Sequence, residues 1–308
     1  MANILVIGSM NMDIVSQVQC LPVPGETIQG LGTGFHAGGK GANQACAASR
    51  SGAKVTMAGG LGTDAFGTEL HRKLQDEGID TGAVAIKPET TGIALITTDA
   101  WGENSIILSP GANYSYSAED LKTLDFTRFD VILLQNEIAE TVNEAVLEKA
   151  EAAGVPVVMN PAPVSGFKRA WLSRSKLLIL NEIEAEALSG VRITDFSEAQ
   201  TAGRSLLAVG ISQVIITLGS KGSLYMDTDG RLIETPAYPV QAVDTTAAGD
   251  TFIGALAASY YGGMGLKDSL HYASAAAALT VSGAGAQSSI PVKEQVNAFL
   301  GRMGSSTD

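Results

Sequence analysis

The sequence predicts an α/β fold, with a mostly parallel sheet covered by helices and a second, smaller β-sheet inserted into it. Asn3 to Gly8 is a continuous apolar run, as in a strand buried on both faces. From Lys54 onward, strand and helix patterns alternate regularly, as in a parallel sheet wrapped by helices. Residues 14–36 and 91–108 instead hold short strand patterns and turns. We therefore expect one domain over residues 1–308, in which these two segments form a lid over a site.

Each remaining element is predicted from the period of its apolar residues. The further main-sheet strands are predicted at 55–58, 131–135, 155–159, 176–180, 214–218 and 237–243, with an edge hairpin at 222–226 and 232–234. The helices are predicted at 42–51, 66–77, 140–153, 182–189, 198–209, 252–258, 266–282 and 292–300. Residues 283–289 are predicted to be a loop, and the chain after Gly301 is expected to fray.

Composition limits the classes of function. The chain has 308 residues, 45% of them hydrophobic, which is ample for a large core. Its net charge of -12 argues against nucleic acid or an anionic membrane as a partner. Cys20 and Cys46 form no CxxC pair, and no apolar run has the length of a membrane span. We expect a cytoplasmic protein with reduced thiols.

Residues 244–252 place small residues and a carboxylate between a predicted strand and a buried helix. A helix start exposes unpaired N–H groups and the positive end of the dipole, and small residues let an anion approach them. If that anion were a phosphoryl group, Asp250 could take a proton from an attacking hydroxyl. The alternative is that Asp250 or Thr245 only caps the helix.

Polar residues follow several predicted strands, and the carboxyl ends of parallel strands share one edge of a sheet. In open α/β sheets this edge binds ligands. Singly, each such residue is also explained by the preference of Asn and Asp for turns. The residues concerned are Asn11, Asp13, Gln135, Asn136, Glu137, Asn160, Asn181, Glu184, Thr217 and Ser220.

The glycine-rich stretch 34–43 has nearly the spacing of a P-loop. Gly41 stands where a P-loop needs Ser or Thr for its metal, so we reject that motif. A glycine turn that opens a helix, with Lys40 and Asn43 near its start, suits a polyhydroxyl or anionic ligand. The alternative is a plain helix cap with a solvated lysine, and His36 is expected to be a packing or surface residue.

Two stretches resemble the paired signatures of the ribokinase (phosphofructokinase-B-type) family of sugar kinases, namely residues 38–44, Gly-Gly-Lys-Gly-Ala-Asn-Gln, and residues 244–250. The resemblance runs from about Asn3 to Leu300, and Pro-Gly-Ala-Asn at 110–113 points to the ribokinase branch. It implies a ribokinase-like three-layer α/β/α fold with a β-sheet lid. It also implies ATP-dependent phosphorylation of the 5-hydroxyl of D-ribose.

The resemblance further implies a role for each matching position. Asp250 would be the base, and the N–H groups of Ala247, Ala248 and Gly249 would form an anion hole. The sugar would be held by Asn11, Asp13, Gly39, Lys40, Asn43 and Glu137. The nucleotide, with Mg²⁺ and its phosphates, would be bound by Asn181, Glu184, Thr217, Gly219, Ser220, Gly222, Gly249 and Ser274.

A potassium site and a homodimer are also implied by the resemblance. K⁺ would be bound by carbonyls of Asp244, Thr246, Thr280, Gly283 and Gly285 and by the hydroxyl of Ser289. This chain has Gly283 and Ala284 where family members often carry basic residues, so the loop departs from the family there. Family members pair through their lids.

Other functions stay open at this stage. A sister kinase could act on deoxyribose, another pentose, a ketohexose or a nucleoside. A carboxylate at Asp13 suits a diol, and Phe35 and Trp101 are the only large lid aromatics that could stack on a base. A non-catalytic sugar- or nucleotide-sensing protein is opposed by the presence of Asp250 and Gly249. A dehydrogenase is disfavoured, because it would need a Gly-x-Gly-x-x-Gly after the first strand and this chain has none there.

Overall fold

The computed structural model describes residues 1–304 and contains two β-sheets. The strands of the main sheet are β1 (Asn3–Ile7), β4 (Lys54–Gly62), β5 (Asp80–Lys87), β8 (Val131–Gln135), β9 (Val157–Asn160), β10 (Leu177–Asn181), β11 (Gln213–Thr217), β12 (Ser223–Asp227) and β13 (Leu232–Thr235). Their order is β13-β12-β11-β10-β9-β8-β1-β4-β5. All neighbours from β11 to β5 are parallel, and the edge hairpin β12–β13 is antiparallel.

Helices cover both faces of the main sheet. They are α1 (Lys40–Arg50), α2 (Ala65–Asp76), α3 (Ala112–Ser115), α4 (Glu140–Ala153), α5 (Glu182–Ser189), α6 (Phe196–Ala208), α7 (Ala248–Tyr261), α8 (Leu266–Val281), α9 (Ala286–Ser289) and α10 (Lys293–Gly304).

Two hydrophobic cores lie on opposite faces of the sheet. In β1, Ile4 and Val6 belong to the core that includes α1, α7 and α8, whereas Leu5 and Ile7 belong to the core of α4 and α6. Successive side chains of a strand point to opposite faces, so a strand covered on both sides must be apolar throughout. The predicted three-layer α/β/α architecture is confirmed.

The second sheet has four strands, β2 (Asn11–Gln17), β3 (Gly32–Gly38), β6 (Gly92–Thr98) and β7 (Asn104–Ser109), in the order β3-β2-β6-β7. Two antiparallel pairs, β2–β3 and β6–β7, are joined by the parallel pair β2–β6. The predicted strand content of 14–36 and 91–108 is present, although residues 18–31 form no strand. Because β2 follows β1 after only three residues, this small sheet stands at the carboxyl edge of the main one.

Several element predictions were wrong. Residues 237–243 form no strand, since Pro236 and Pro239 lack the N–H that a sheet ladder needs. Strand β5 was missed because it is a half-exposed edge strand that contains Gly82. The predicted loop 283–289 includes the short helix α9. Residues 302–304 continue α10 instead of fraying, and 305–308 lie outside the described residues.

None of the helices within residues 1–304 has the length and apolar character that crossing a membrane requires.

Candidate active site

The carboxyl ends of the parallel strands meet at one edge, as predicted. Gln135 pairs with Asn160, and Asn181 pairs with Thr217, so these strand-end residues lie in line. A cavity of about 210 Å³ opens beside them. It is lined by Lys40, Asn160, Ile179, Leu180, Asn181, Glu184, Thr217, Thr245, Ala247, Ala248, Gly249, Asp250 and Ile253.

The start of α7 forms one wall of this cavity. Ala247 has φ 62° and ψ 6°, and among residues 1–304 it alone is a non-glycine residue with positive φ. A left-handed alanine costs about 1–2 kcal/mol, and such strain concentrates at functional sites. The turn brings Gly249 into the first turn of α7, where backbone N–H groups have no helical acceptor. A Cβ on Gly249 would meet no atom within 4 Å, so the space beside it is open.

Asp250 is also in the first turn of α7 and is 8% exposed. Its Oδ2 accepts a hydrogen bond from Asn43 Nδ2 at 3.0 Å, and its Oδ1 accepts one from Gln44 Nε2 at 3.0 Å. Both donors belong to the first turns of α1. Gly254 allows the two helices to approach, because a Cβ there would lie 2.5 Å from the carbonyl oxygen of Gln44. The two predicted signatures therefore form one site.

Four acidic side chains and one lysine share this region. Burial, together with the negative charges of Glu137 and Asp250, raises the pKa of Asp13 to about 7. Burial also raises the pKa of Glu137, against the opposing effects of the Lys40 charge and of a 2.5 Å hydrogen bond from Ser9 Oγ. Burial lowers the pKa of Lys40, but the charges of Asp250, Glu137 and Glu184 outweigh it, so the net shift is upward.

Asn11 is oriented by an asparagine that lies 102 residues away in the sequence. Asn113 Nδ2 donates to Asn11 Oδ1 at 2.7 Å and to the carbonyl oxygen of Met10 at 3.2 Å. Its Oδ1 accepts from Met10 N–H at 2.9 Å. Because Asn113 occupies the Oδ1 acceptor of Asn11, the Nδ2 donor of Asn11 is the side-chain atom that remains to bind a ligand. Asn113 belongs to the Pro-Gly-Ala-Asn stretch at 110–113.

The glycine before α1 holds these parts together. Gly39 has φ 89°, and a Cβ on it would lie 2.7 Å from the backbone nitrogen of Asn11. Only glycine fits both the backbone conformation and this close approach. Asp13 lies on β2 together with Asn11 and packs against Gly38 of β3. A Cβ on Gly38 would lie 2.1 Å from Asp13 Oδ2.

Asn181 and Glu184 form a capping box at the start of α5. Asn181 Oδ1 accepts from Glu184 N–H at 2.9 Å, and Glu184 Oε2 accepts from Asn181 N–H at 2.9 Å. Burial raises the pKa of Glu184, while the Asn181 N–H bond and the Lys40 charge oppose the rise and the Asp250 charge adds to it. Both side chains line the cavity, at the end of β10, which is three strands away from β1 in the main sheet.

The other predicted nucleotide residues lie beyond β11 or on α8. Gly219 and Ser220 belong to a short, exposed 3₁₀ helix, and Gly222 has φ 111° and abuts the backbone of Thr235. Ser274 is buried on α8. None of these four predicted residues lines the cavity, whereas Thr217 does.

The two predicted potassium loops lie against each other. Gly285 N–H donates to Asp244 Oδ2 at 3.0 Å, and Thr246 N–H donates to Asp244 Oδ1 at 2.9 Å. Thr280 donates its hydroxyl to a backbone carbonyl, and its carbonyl oxygen accepts from Gly283 N–H. The hydroxyl of Ser289 donates to the carbonyl of Ala286. Among residues 1–304, no three His, Cys, Asp or Glu side chains gather as a metal cluster.

Sequence reasoning placed Gln135 at the carboxyl edge of the sheet, but it assigned no role to Gln44 and did not predict the contact between the two. Gln44 binds Asp250, and Gln135 Nε2 binds Gln44 Oε1 at 2.8 Å. One signal was available for Gln44, because it is a polar residue inside the small, apolar stretch Ala42 to Ala48. The contact between Gln44 and Gln135 had no sequence signal, since it depends on how α1 packs on β8.

A carboxylate at a helix start, beside an open glycine turn and at the carboxyl edge of a parallel sheet, is an arrangement that suits phosphoryl transfer. Comparison with known proteins makes this class specific. The family model described as pfkB family carbohydrate kinase matches residues 1–293. The chain belongs to this family, so the family predicted from the two signatures is confirmed.

Individual proteins of known activity resemble the chain over nearly its whole length. Ribokinase of Schizosaccharomyces pombe is 41% identical over 303 residues, which cover 94% of this chain and 95% of that protein. Deoxyribokinase of Salmonella typhi is 37% identical over 97% of this chain and 98% of that protein. The structure of Arabidopsis thaliana ribokinase complexed with ribose and ATP is 33% identical, with a TM-score of 0.89, and covers 97% of this chain and 98% of that one.

Proposed function

We propose that this chain is an ATP-dependent sugar kinase that phosphorylates the 5-hydroxyl of D-ribose to give D-ribose 5-phosphate and ADP. The observation that carries the proposal is the position of Asp250 in the first turn of α7, beside the open turn at Gly249 and in contact with Asn43. The similarity to ribokinases along nearly the whole chain supports ribose as the substrate.

In the proposed reaction, Asp250 accepts the proton of the sugar hydroxyl. The freed oxygen forms a bond to the γ-phosphorus of ATP while the bond from that phosphorus to the bridging oxygen breaks, and ADP leaves. The N–H groups of Ala247, Ala248 and Gly249 are proposed to bind the charge on the transferring group, which requires the Ala248 N–H to leave the carbonyl of Thr245, to which it donates at 3.3 Å. Catalysis of this kind depends on positioning and electrostatic stabilisation, which a fixed helix start supplies.

The two substrates are assigned to opposite ends of the site. The sugar belongs at the end beside the small sheet, where Asn11, Asp13 and Glu137 lie. ATP belongs at the end beside β10 and β11, with Asn181, Glu184, Thr217, Gly219, Ser220, Gly222 and Ser274. Lys40 lines the cavity and lies in the field of carboxylates from both ends, so it fits between the sugar and the transferring phosphoryl group.

Mg²⁺ is proposed at the ATP end. Each oxygen of the Glu184 carboxylate accepts one hydrogen bond from Asn181, which leaves a lone pair on each for a hard cation or its water. When bound, Mg²⁺ neutralises phosphate charge. Glu184 and Asn181 would hold it through water, and their capping box fixes the direction of the carboxylate.

K⁺ is proposed between residues 244–246 and 280–289. The carbonyl oxygens of Asp244, Thr246, Thr280, Gly283 and Gly285, with the hydroxyl of Ser289, make an oxygen-only set that suits a large, weakly hydrated cation. The fit is supported by the Asp244–Gly285 hydrogen bond, which keeps the two loops together. A cation here supplies fixed positive charge next to the turn at Ala247.

A second candidate is a deoxyribose kinase, which the 37% identity to a deoxyribokinase favours. The carboxylate at Asp13 distinguishes the two, because hydrogen bonding to a diol is lost on a deoxy carbon. A sugar-sensing protein without catalysis would have no need for an acid and an open glycine at the start of α7. Initial rates of ADP release with ribose and 2-deoxyribose discriminate between all three readings.

A homodimer through the small sheet is also proposed. Strand β7 is exposed along its whole length, and Ile106 and Ile107 are 57% and 62% exposed. Exposed apolar edge strands of this kind pair with another chain. A second copy would cover them and fix the small sheet as a lid over the sugar end. Light scattering of the parent and of Ile107→Lys tests this, since the variant should be monomeric.

Residence in the cytoplasm completes the proposal. Cys20 is exposed and Cys46 is buried, and both are free thiols in the structure. Exposed free thiols persist in reducing compartments. Cell fractionation followed by blotting for the chain tests this part.

A further inference from the structure

A string of buried amides leads from the far side of the sheet to Asp250. Gln44 Nε2 lies 3.0 Å from Asp250 Oδ1, and Gln135 Nε2 lies 2.8 Å from Gln44 Oε1. Asn143 Nδ2 lies 3.1 Å from the carbonyl oxygen of Gln135. Gln44, Gln135 and Asn143 are fully buried. The string thus joins α4, β8 and α1 to the start of α7, and none of its three amides lines the cavity.

The direction of this string is fixed by Asp250. An ionised carboxylate only accepts hydrogen bonds, so Gln44 must turn its NH₂ group toward Asp250. Its Oε1 then faces Gln135, which must donate with its own NH₂ group. Each amide has one orientation that satisfies its neighbour, and rotation of either one would place an oxygen against an oxygen.

The string carries a cost that packing alone does not explain. Gln135 Oε1 is buried and has no hydrogen-bond partner among residues 1–304. The Gln135 side chain also requires glycine at position 8, because a Cβ on Gly8 would lie 1.9 Å from Gln135 Oε1. An unpaired buried acceptor is destabilising, and apolar side chains of the same size would fill the space without that penalty. Orienting Gln44 accounts for the presence of Gln135.

We propose that Gln44, kept in orientation by Gln135, is the positioning residue of the base Asp250. This inference rests on the proposed role of Asp250. Gln44 anchors Oδ1 of Asp250, whereas the neighbouring residue Asn43 binds Oδ2. Asn43 is also assigned to the sugar. When its amide turns to the sugar, Oδ2 is released toward the 5-hydroxyl while Gln44 keeps the carboxylate in place.

The kinetic constants of two variants distinguish a role of Gln44 in positioning Asp250 from a role in binding substrate. Gln44→Met removes the donor but keeps the volume, and we expect kcat to fall on the order of tenfold, because small misplacements of reacting groups are costly. KM for ribose and for ATP should stay near the parent values, since Gln44 touches neither substrate. Gln135→Met should lower kcat in the same direction, because Gln44 is then free to rotate.

Combining the two substitutions tests whether Gln135 acts on Asp250 only through Gln44. The double variant Gln44→Met/Gln135→Met should be no slower than Gln44→Met alone, because Gln135 acts only through Gln44. Additive losses in kcat would overturn the proposal. Ile132→Ala is the matched control, since it opens a cavity in the same strand β8 without touching the string. It should lower the melting temperature and leave kcat at the parent value.

Failure of this proposal is distinct from failure of the proposed base. Asp250→Asn with turnover near the parent value would remove Asp250 from the mechanism. A slow Asp250→Asn together with parental kcat in both Gln44→Met and Gln135→Met would leave the base in place and overturn the positioning role. If Gln44→Met does not fold, Gln135→Met decides, because it leaves Gln44 itself intact.

Discussion

Asn43 Nδ2 lies 3.0 Å from Asp250 Oδ2, although 207 residues separate the two in the sequence. The contact joins the first turn of α1 to the first turn of α7, so the two signature stretches of the family meet at one carboxylate. A residue assigned to the sugar and the residue assigned as base thus touch before any substrate is bound. We therefore expect sugar binding and the state of the base to be coupled through Asn43.

Gly249→Ala is predicted to separate catalysis from stability. A Cβ at this position meets no protein atom within 4 Å, so the fold should accept it and gain slightly in helix propensity. The methyl group would occupy the space of the transferring phosphoryl group and lower kcat by about 10- to 100-fold. Initial rates and thermal melting measure the two effects.

Gly301→Ala in α10 is the matched control for that change, because a Cβ there also meets no atom within 4 Å. It should keep the parent kcat. Equal turnover in both variants would remove the open turn from the proposed phosphoryl site.

Asp13→Asn is predicted to change how stability depends on pH. The folded pKa of about 7 is above the unfolded value of 3.8, so the folded state binds the extra proton. Stability from this group is present below about pH 4 and is lost as pH rises through 7. Relative to Asp13→Asn, the parent should therefore lose up to about 4 kcal/mol across this range.

Urea unfolding of both chains between pH 4 and pH 8 measures that difference. Glu119→Gln removes a carboxylate that is 73% exposed and should give the same pH dependence as the parent. A constant gap between the parent and Asp13→Asn would show that Asp13 titrates as an ordinary surface carboxyl.

Asn113→Leu is predicted to weaken sugar binding through Asn11. Without Asn113, the Asn11 amide loses the partner that fixes its orientation. The KM for ribose should rise about 3- to 10-fold, the value of one hydrogen bond, while the KM for ATP stays near the parent value. Equal rises in both constants would mean that the variant disturbs the fold and not the sugar end.

Potassium is predicted to raise turnover more than it changes either KM. A cation between the loops joined by Asp244 and Gly285 would touch neither substrate and would fix the turn that ends at Ala247. The measurement is the initial rate against KCl at constant ionic strength, with sodium as the comparison and Mg²⁺ constant. A flat response would reduce the loop pair to a structural role.

The sequence predicted most of the fold because strand and helix patterns are local. Apolar runs such as Asn3 to Gly8 identify strands buried on both faces, and helices α4 and α5 begin and end where their patterns do. The strand predicted at 237–243 is absent because Pro236 and Pro239 interrupt the pairing that the apolar residues of this stretch predict. Strand β5 was not predicted, because a half-exposed edge strand has a weak apolar pattern.

The site was predictable in part. The strand-end residues and the start of α7 carry local signals of turns and helix caps. The left-handed Ala247 carries none, since alanine disfavours positive φ and adopts it only when the surrounding structure imposes it. The partners Gln44 and Gln135 lie 91 residues apart and meet only through helix packing.

We expect this chain to transfer the γ-phosphoryl group of ATP to the 5-hydroxyl of D-ribose with Asp250 as the base. The most direct measurement compares parent and Asp250→Asn in ADP release with D-ribose and 2-deoxy-D-ribose, and identifies the product by ³¹P NMR. We predict ribose 5-phosphate, a higher kcat/KM for ribose than for deoxyribose, and a loss of at least about 10²-fold in kcat for Asp250→Asn with its fold intact. Phosphate on another hydroxyl, a preference for deoxyribose, or turnover in Asp250→Asn within a few-fold of the parent would contradict ribose 5-phosphorylation with Asp250 as the base.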